Sequence, residues 1–175
     1  ITNRIGPEQA GFYYVIMMIG NLLYAIPWAT TRSLFAEGSH DESELRTHAL
    51  RAIKIIAATM LPAIAILLLF GSFLLHVFGP TYASEGAGLL RLIALSGIVV
   101  ATYSFFGSYF KVRRSPKWLV VINLFYAIGI IGGTSLLIPL GLIGVGYAWI
   151  IGHVIAIGIG LAAVYLSPSR EIARA

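Results

Sequence analysis

The stretch Ile143–Leu166, IGVGYAWIIGHVIAIGIGLAAVYL, holds no Asp, Glu, Lys or Arg. A helix needs about 20 mostly apolar residues to cross the ~30 Å hydrocarbon core of a bilayer, and this run is long enough. Within it Gly144, Ala148, Gly152, Ala156 and Gly160 recur every four residues, so they form one stripe along a helix. Lipid is as apolar as leucine, so helices in a membrane associate by close packing of small residues rather than by hiding grease. The stretch therefore reads as a membrane-spanning helix shaped to lie against another helix.

Working back along the chain, four more stretches meet the same criterion: about Gly11–Thr31, Ile53–Phe78, Leu89–Phe110 and Trp118–Ile138. With Ile143–Leu166 they make five spans, and the expected fold is all-α, a polytopic transmembrane helix bundle. Gly129 and Gly133, four apart in the fourth span, are the expected mate of the glycine stripe in the fifth. Ala94, Gly97 and Ala101 repeat the pattern more weakly in the third. Pro27 and Pro62 fall inside the first two spans, where each removes a backbone hydrogen bond and tends to kink the helix.

The composition agrees. The chain is 58% hydrophobic and 11% charged, against about 25% charged in a typical soluble domain. It has no cysteine, which excludes a disulfide scaffold, thiolate metal sites and thiol catalysis. The net charge of +5 belongs to membrane topology rather than to a nucleic-acid partner, because the basic residues gather on one side. Arg32, Arg46, Arg51, Lys54, Lys111, Arg113, Arg114, Lys117, Arg170 and Arg174 share a side; only Arg4 and Arg91 lie on the other. Basic residues collect on the cytoplasmic face. This puts residue 1 outside and the C-terminus in the cytoplasm of a multi-pass protein of the cell (inner) membrane. No signal-peptide pattern precedes the first span. Ile1–Gly11 reads as a polar outer loop, and the chain reads as a piece of a longer protein.

The connections differ in kind. Arg32–Ala52 is long and charged, and within it residues from about 41 to 52 read as an amphipathic helix on the inner membrane surface, running into the second span. Ser39–Glu42 and Asp41–Glu44 supply capping-box patterns at its start. Gly79–Gly88 reads as a short outer connection, and Pro139–Gly141 as a tight turn.

No enzyme constellation emerges: no metal-ligand cluster, nucleophile motif or phosphate loop stands in its structural context. Enzymatic activity, a cofactor and a metal are therefore not expected. His153 is the ionisable residue at membrane depth, with no carboxylate beside it; the expected role is a hydrogen bond to a neighbouring helix. The first span carries Tyr14, Asn21, Tyr24 and Trp28, spaced so as to share one face. Such a face suits sugar, with hydroxyls meeting amide and phenols and C–H surfaces meeting rings. It equally suits an aromatic belt with one interhelical asparagine bond.

The order of these features resembles the C-terminal part of a polysaccharide flippase of the multidrug/oligosaccharidyl-lipid/polysaccharide superfamily (MATE-like), closest to its O-antigen, Wzx-type branch. IGPEQAGFYYV (Ile5–Val15) is similar to the family's outer loop and Gly-x-Tyr helix start. RAIKIIAATMLPAIAILLLFG (Arg51–Gly71) resembles its mid-helix-proline span. VFGPTYASEGAGLLRLIALSG (Val77–Gly97) resembles its Phe-Gly-x-x-Tyr turn and Leu-Leu-Arg helix. LIPLGLIGVGYAW (Leu137–Trp149) resembles the turn into its last span. The resemblance implies a C-terminal lobe fragment holding the eighth to twelfth spans of a two-lobed transporter, whose N-terminal lobe and one further span lie outside this chain. It implies transport of an isoprenoid-diphosphate-linked glycan between leaflets in cell-surface polysaccharide biosynthesis, with the partners being that lipid, the bilayer and the missing lobe. It also implies that Tyr14, Asn21, Tyr24 and Trp28 face the cavity between lobes. Arg4 and Arg32, at the two ends of the first span, are the candidate phosphate or headgroup contacts, since no cation lies at its middle. A multidrug exporter of the same superfamily and a non-transporting membrane scaffold are the competing readings.

Overall fold

A computed structural model of the chain describes residues 2–38 and 45–166. Every element among them is helical: α1 (Thr2–Ile5), α2 (Pro7–Gly38), α3 (Leu45–His76), α4 (Pro80–Val112), α5 (Pro116–Leu137), a 3-10 turn (Ile138–Leu140) and α6 (Gly141–Leu166). Three of the long helices, α2, α4 and α5, begin on proline. A proline there gives up only an N–H that has no intrahelical partner, and its fixed φ suits the first turn.

Four stretches are long and apolar enough to cross a membrane: Pro7–Ser33, Thr47–His76, Pro80–Val112 and Pro116–Leu166. The last differs from the two separate spans expected from the sequence. No coil divides α5 from α6; the 3-10 turn carries the helical hydrogen bonding into Gly141, which alone breaks direction at φ 63°. The two helices then lie side by side, antiparallel, with Gly129 against Gly152 and Gly133 against Ala148. This is the glycine pairing read from the sequence.

The other boundaries are wider than expected. Ile1–Gly11 is not a loop, since α2 starts at Pro7 after a break at Gly6, and Ala10 N–H bonds Gly6 O at 3.2 Å. Residues 80–88 are not an outer connection but the first turns of α4; only Val77–Gly79 separate it from α3. Gly79 holds φ at 131°, open to glycine alone, and Pro80 restarts the helix. The reason is length. Hydropathy marks only the ~30 Å that lipid covers. Helices α2, α3 and α4 have 32, 32 and 33 residues, or about 48 Å at 1.5 Å per residue, and continue beyond the apolar run. Leu45–Ala52 form the first two turns of α3, continuous with the second span; residues 41–44 lie outside the described residues. Helices α2 and α3 run unbroken through Pro27 and Pro62.

Helix α4 is the centre, touching α2 and α3 on one side and α6 on the other, while α5 leans chiefly on α6. Gly97 lets this happen on the first side: a Cβ there would meet Met60 of α3 at 2.7 Å and Leu23 of α2 at 3.1 Å. One apolar cluster, including Ile16, Leu23, Met60, Ile64, Leu90 and Ile93, joins α2, α3 and α4. A second, with Phe106, Phe110, Ile122, Ala156 and Ala163, joins α4, α5 and α6. The small-residue stripe of α6 serves two neighbours, because Gly152 meets α5 while Gly160 meets the Phe106 ring of α4.

Candidate functional site

Helix α2 has two faces. Phe12, Ile16, Ile19, Leu23 and Thr31 turn inward and are buried. On the other side Tyr14 is 65% exposed and Trp28 41%. Asn21 is exposed between them, and Arg32 is exposed at the end of the Pro7–Ser33 stretch. Tyr14, Asn21 and Trp28 are seven residues apart, so at 3.6 residues per turn they stay nearly in line. Asn21 sits at the middle of the apolar stretch, and among the described residues its amide has no hydrogen-bond partner. Arg4, on α1, is exposed beyond the opposite end of α2.

Tyr24 does not join that face. It is 0% exposed, with its hydroxyl on α4. An offset of three from Asn21 turns it by about 60°, and that rotation carries it off the open line and against α4. Tyr24 thus stands apart from the exposed line of Tyr14, Asn21 and Trp28, and links α2 to α4.

Behind Tyr24 a string of rings crosses the bundle. Trp28 lies 6.1 Å from the Tyr24 ring, and Tyr24 stacks on Trp149 of α6 at 6.2 Å and 11°. Trp149 meets His153 at 5.1 Å, and His153 stands edge-on to Tyr126 of α5 and Tyr103 of α4, at 4.8 and 5.3 Å. Tyr103 and Tyr126 stack at 4.9 Å. His153 is 2% exposed. Its Nδ1 is 2.8 Å from Trp149 O, one turn back on its own helix. The neighbouring helices give it rings rather than the hydrogen bond expected from them. At the far end the Tyr103 hydroxyl donates to Asn123 Oδ1 at 2.8 Å, and Asn123 Nδ2 donates to Leu119 O at 2.7 Å.

Asn123, Tyr103 and Tyr126 were not singled out from the sequence. The signal is present for Asn123: a lone amide in an apolar span, the same mark that Asn21 carries. The two differ in satisfaction, since Asn123 is paired and Asn21 is open. Among the described residues no three His, Asp or Glu side chains come together to hold a metal ion.

No family model, no curated protein and no solved structure matches the chain.

Proposed function

We propose that this chain is the larger part of the C-terminal lobe of a flippase that moves a lipid-linked oligosaccharide across the cell membrane. The observation that carries the reading is the open face of α2. An unpaired amide at mid-span costs free energy against lipid, so a face bearing Asn21 between Tyr14 and Trp28 is suited to water, a polar ligand or another protein segment rather than to acyl chains. A glycan offers hydroxyls to the amide and the phenol and C–H faces to the rings. The diphosphate would be met by arginines at the ends of α2, Arg4 on one side and Arg32 on the other.

In this reading the α5–α6 hairpin crosses the membrane twice, giving five crossings, with residue 1 outside and the C-terminus cytoplasmic. Arg32, Arg51, Lys54, Lys111, Arg113, Arg114 and Lys117 then share the cytoplasmic end. Transport needs no covalent chemistry from the chain, and the reading assigns none.

The test is Asn21→Leu in the intact protein, read by export of the lipid-linked glycan and by thermal stability in detergent. Export falls while stability holds or rises. Unchanged export rejects the reading of this face as a glycan path, and unchanged export with lowered stability makes it a helix-packing surface.

A further inference from the structure

On another side of the bundle, away from the open line of α2, a groove of about 350 Å³ runs between α3 and α4. Its walls are Ile53 to Ile64 on α3 and Ile98 to Phe106 on α4. The one polar side chain in the lining is Thr102, and its hydroxyl is already spent on Ile98 O, at 3.0 Å, within its own helix. Nothing in the groove offers water a hydrogen bond, so hydrocarbon is the occupant its chemistry admits.

Its dimensions say which kind. The eleven helical steps from Ile53 to Ile64 rise about 16 Å, close to the roughly 15 Å that half of a ~30 Å hydrocarbon core provides. The groove reaches from the middle of α3 and α4 toward the start of α3 and the end of α4, the basic end. The groove is open along one side and its lining is apolar along that length, which suits a single extended hydrocarbon chain.

The mouth at the basic end carries charge. Lys54 is exposed and stands seven residues before Leu61, a lining residue, so it lies on the same line of α3. On α4 the lining residue Phe105 is followed one turn later by Tyr109 and another turn later by Arg113. The Arg113 guanidinium lies 5.7 Å from the Tyr109 ring centre, a geometry that holds the cation at the interface. We infer that the α3–α4 groove binds an anionic glycerophospholipid of the leaflet at the basic end, with one acyl chain between Ile53–Ile64 and Ile98–Phe106 and the phosphate between Lys54 and Arg113.

Phe105→Trp places a reporter in the groove wall. The intact protein carrying it is put in phosphatidylcholine nanodiscs containing a minor fraction of chain-brominated lipid, which quenches an indole on contact; the parent protein corrects for Trp28, Trp118 and Trp149. Brominated phosphatidylglycerol quenches at a lower mole fraction than brominated phosphatidylcholine. Lys54→Gln and Arg113→Gln each reduce that preference by roughly fivefold, the worth of one basic residue against an anionic lipid. Ala57→Phe, which fills the groove, removes the preference with the charges in place. Equal quenching by both lipids, or a preference that survives loss of both cations, overturns the assignment. Absence of quenching by either lipid overturns it too, since another segment of protein then occupies the groove. Should Ala57→Phe not insert, the charge variants decide alone.

Discussion

The hydroxyl of Tyr24 on α2 reaches α4, standing 3.0 Å from the carbonyl oxygen of Ile93 and 2.6 Å from Ser96 Oγ. Ser96 also donates to Ile93 O, at 2.8 Å. Two hydroxyls and one carbonyl thus close a small polar knot inside an apolar bundle, and the Tyr24 ring adds α6 to it through its stack on Trp149. Gly20, one turn earlier on α2, lies against the Ile93 side chain, so the backbones come close enough for the hydroxyl to reach.

Tyr24→Phe therefore keeps the ring contacts and removes one hydrogen-bonding group, leaving Ser96 paired to Ile93 O. The expected loss is about 0.6 kcal/mol and at most about 1.7, the range of interhelical hydrogen bonds in membrane proteins. Tyr24→Ala also empties a fully buried ring site and costs about 3–5 kcal/mol. Unfolding of the purified variants in mixed detergent measures both. Equal losses for Phe and Ala would show that the ring is not packed.

The α5–α6 contact depends on the absence of side chains. A Cβ at Gly129 would stand 2.9 Å from Gly152 Cα, and one at Gly152 would press on Ile130 and on Tyr126 O. Gly152→Leu is expected to exceed the roughly 1–3 kcal/mol of ordinary overpacking, because the obstruction includes backbone that cannot rotate away. Ile155→Leu, one turn on and 37% exposed, stays under about 1.5 kcal/mol. Yield and thermal stability in detergent compare the two; equal behaviour would remove the glycine stripe as the source of the hairpin.

The path of the chain is open to labelling, since the protein has no cysteine of its own. Ser84→Cys and Leu140→Cys, both exposed, react with a membrane-impermeant maleimide from outside. Arg114→Cys and Lys117→Cys react only after the cytoplasmic face is opened. Leu140 is the informative position: reaction from the same side as Arg114 would mean that α5 and α6 do not each cross the membrane.

The sequence announces the apolar stretches because charges are absent from their middles, and it announces the α5–α6 mate because two small residues four apart suit a close neighbour. It is silent on where α2 meets α4. Tyr24 and Trp28 are both aromatic residues near Asn21, and a 60° difference decides which is buried; a single helix carries no mark of where its neighbour stands. Helix ends escape hydropathy for a related reason. Hydropathy reports the lipid-covered part, whereas Pro7, Pro80 and Pro116 report the true starts. The ring string through Trp149, His153, Tyr126 and Tyr103 assembles from three helices and has no spacing to read.

The open and buried residues of α2 make a contrast that one set of variants can resolve. Tyr14 and Trp28 share the open line with Asn21, and truncating an exposed side chain away from any network usually changes stability by within about 0.5 kcal/mol. Tyr14→Leu should therefore leave the unfolding midpoint in place while lowering export of the lipid-linked glycan. Trp28→Leu should lower export too, with a small loss of stability besides, because its ring lies 6.1 Å from that of Tyr24. Tyr24→Phe should do the reverse, lowering stability with export retained once the amount of folded protein is equalised. A result in which all three track stability would place Tyr14 and Trp28 against protein rather than against substrate, and the open face of α2 would then be the seat of a partner helix.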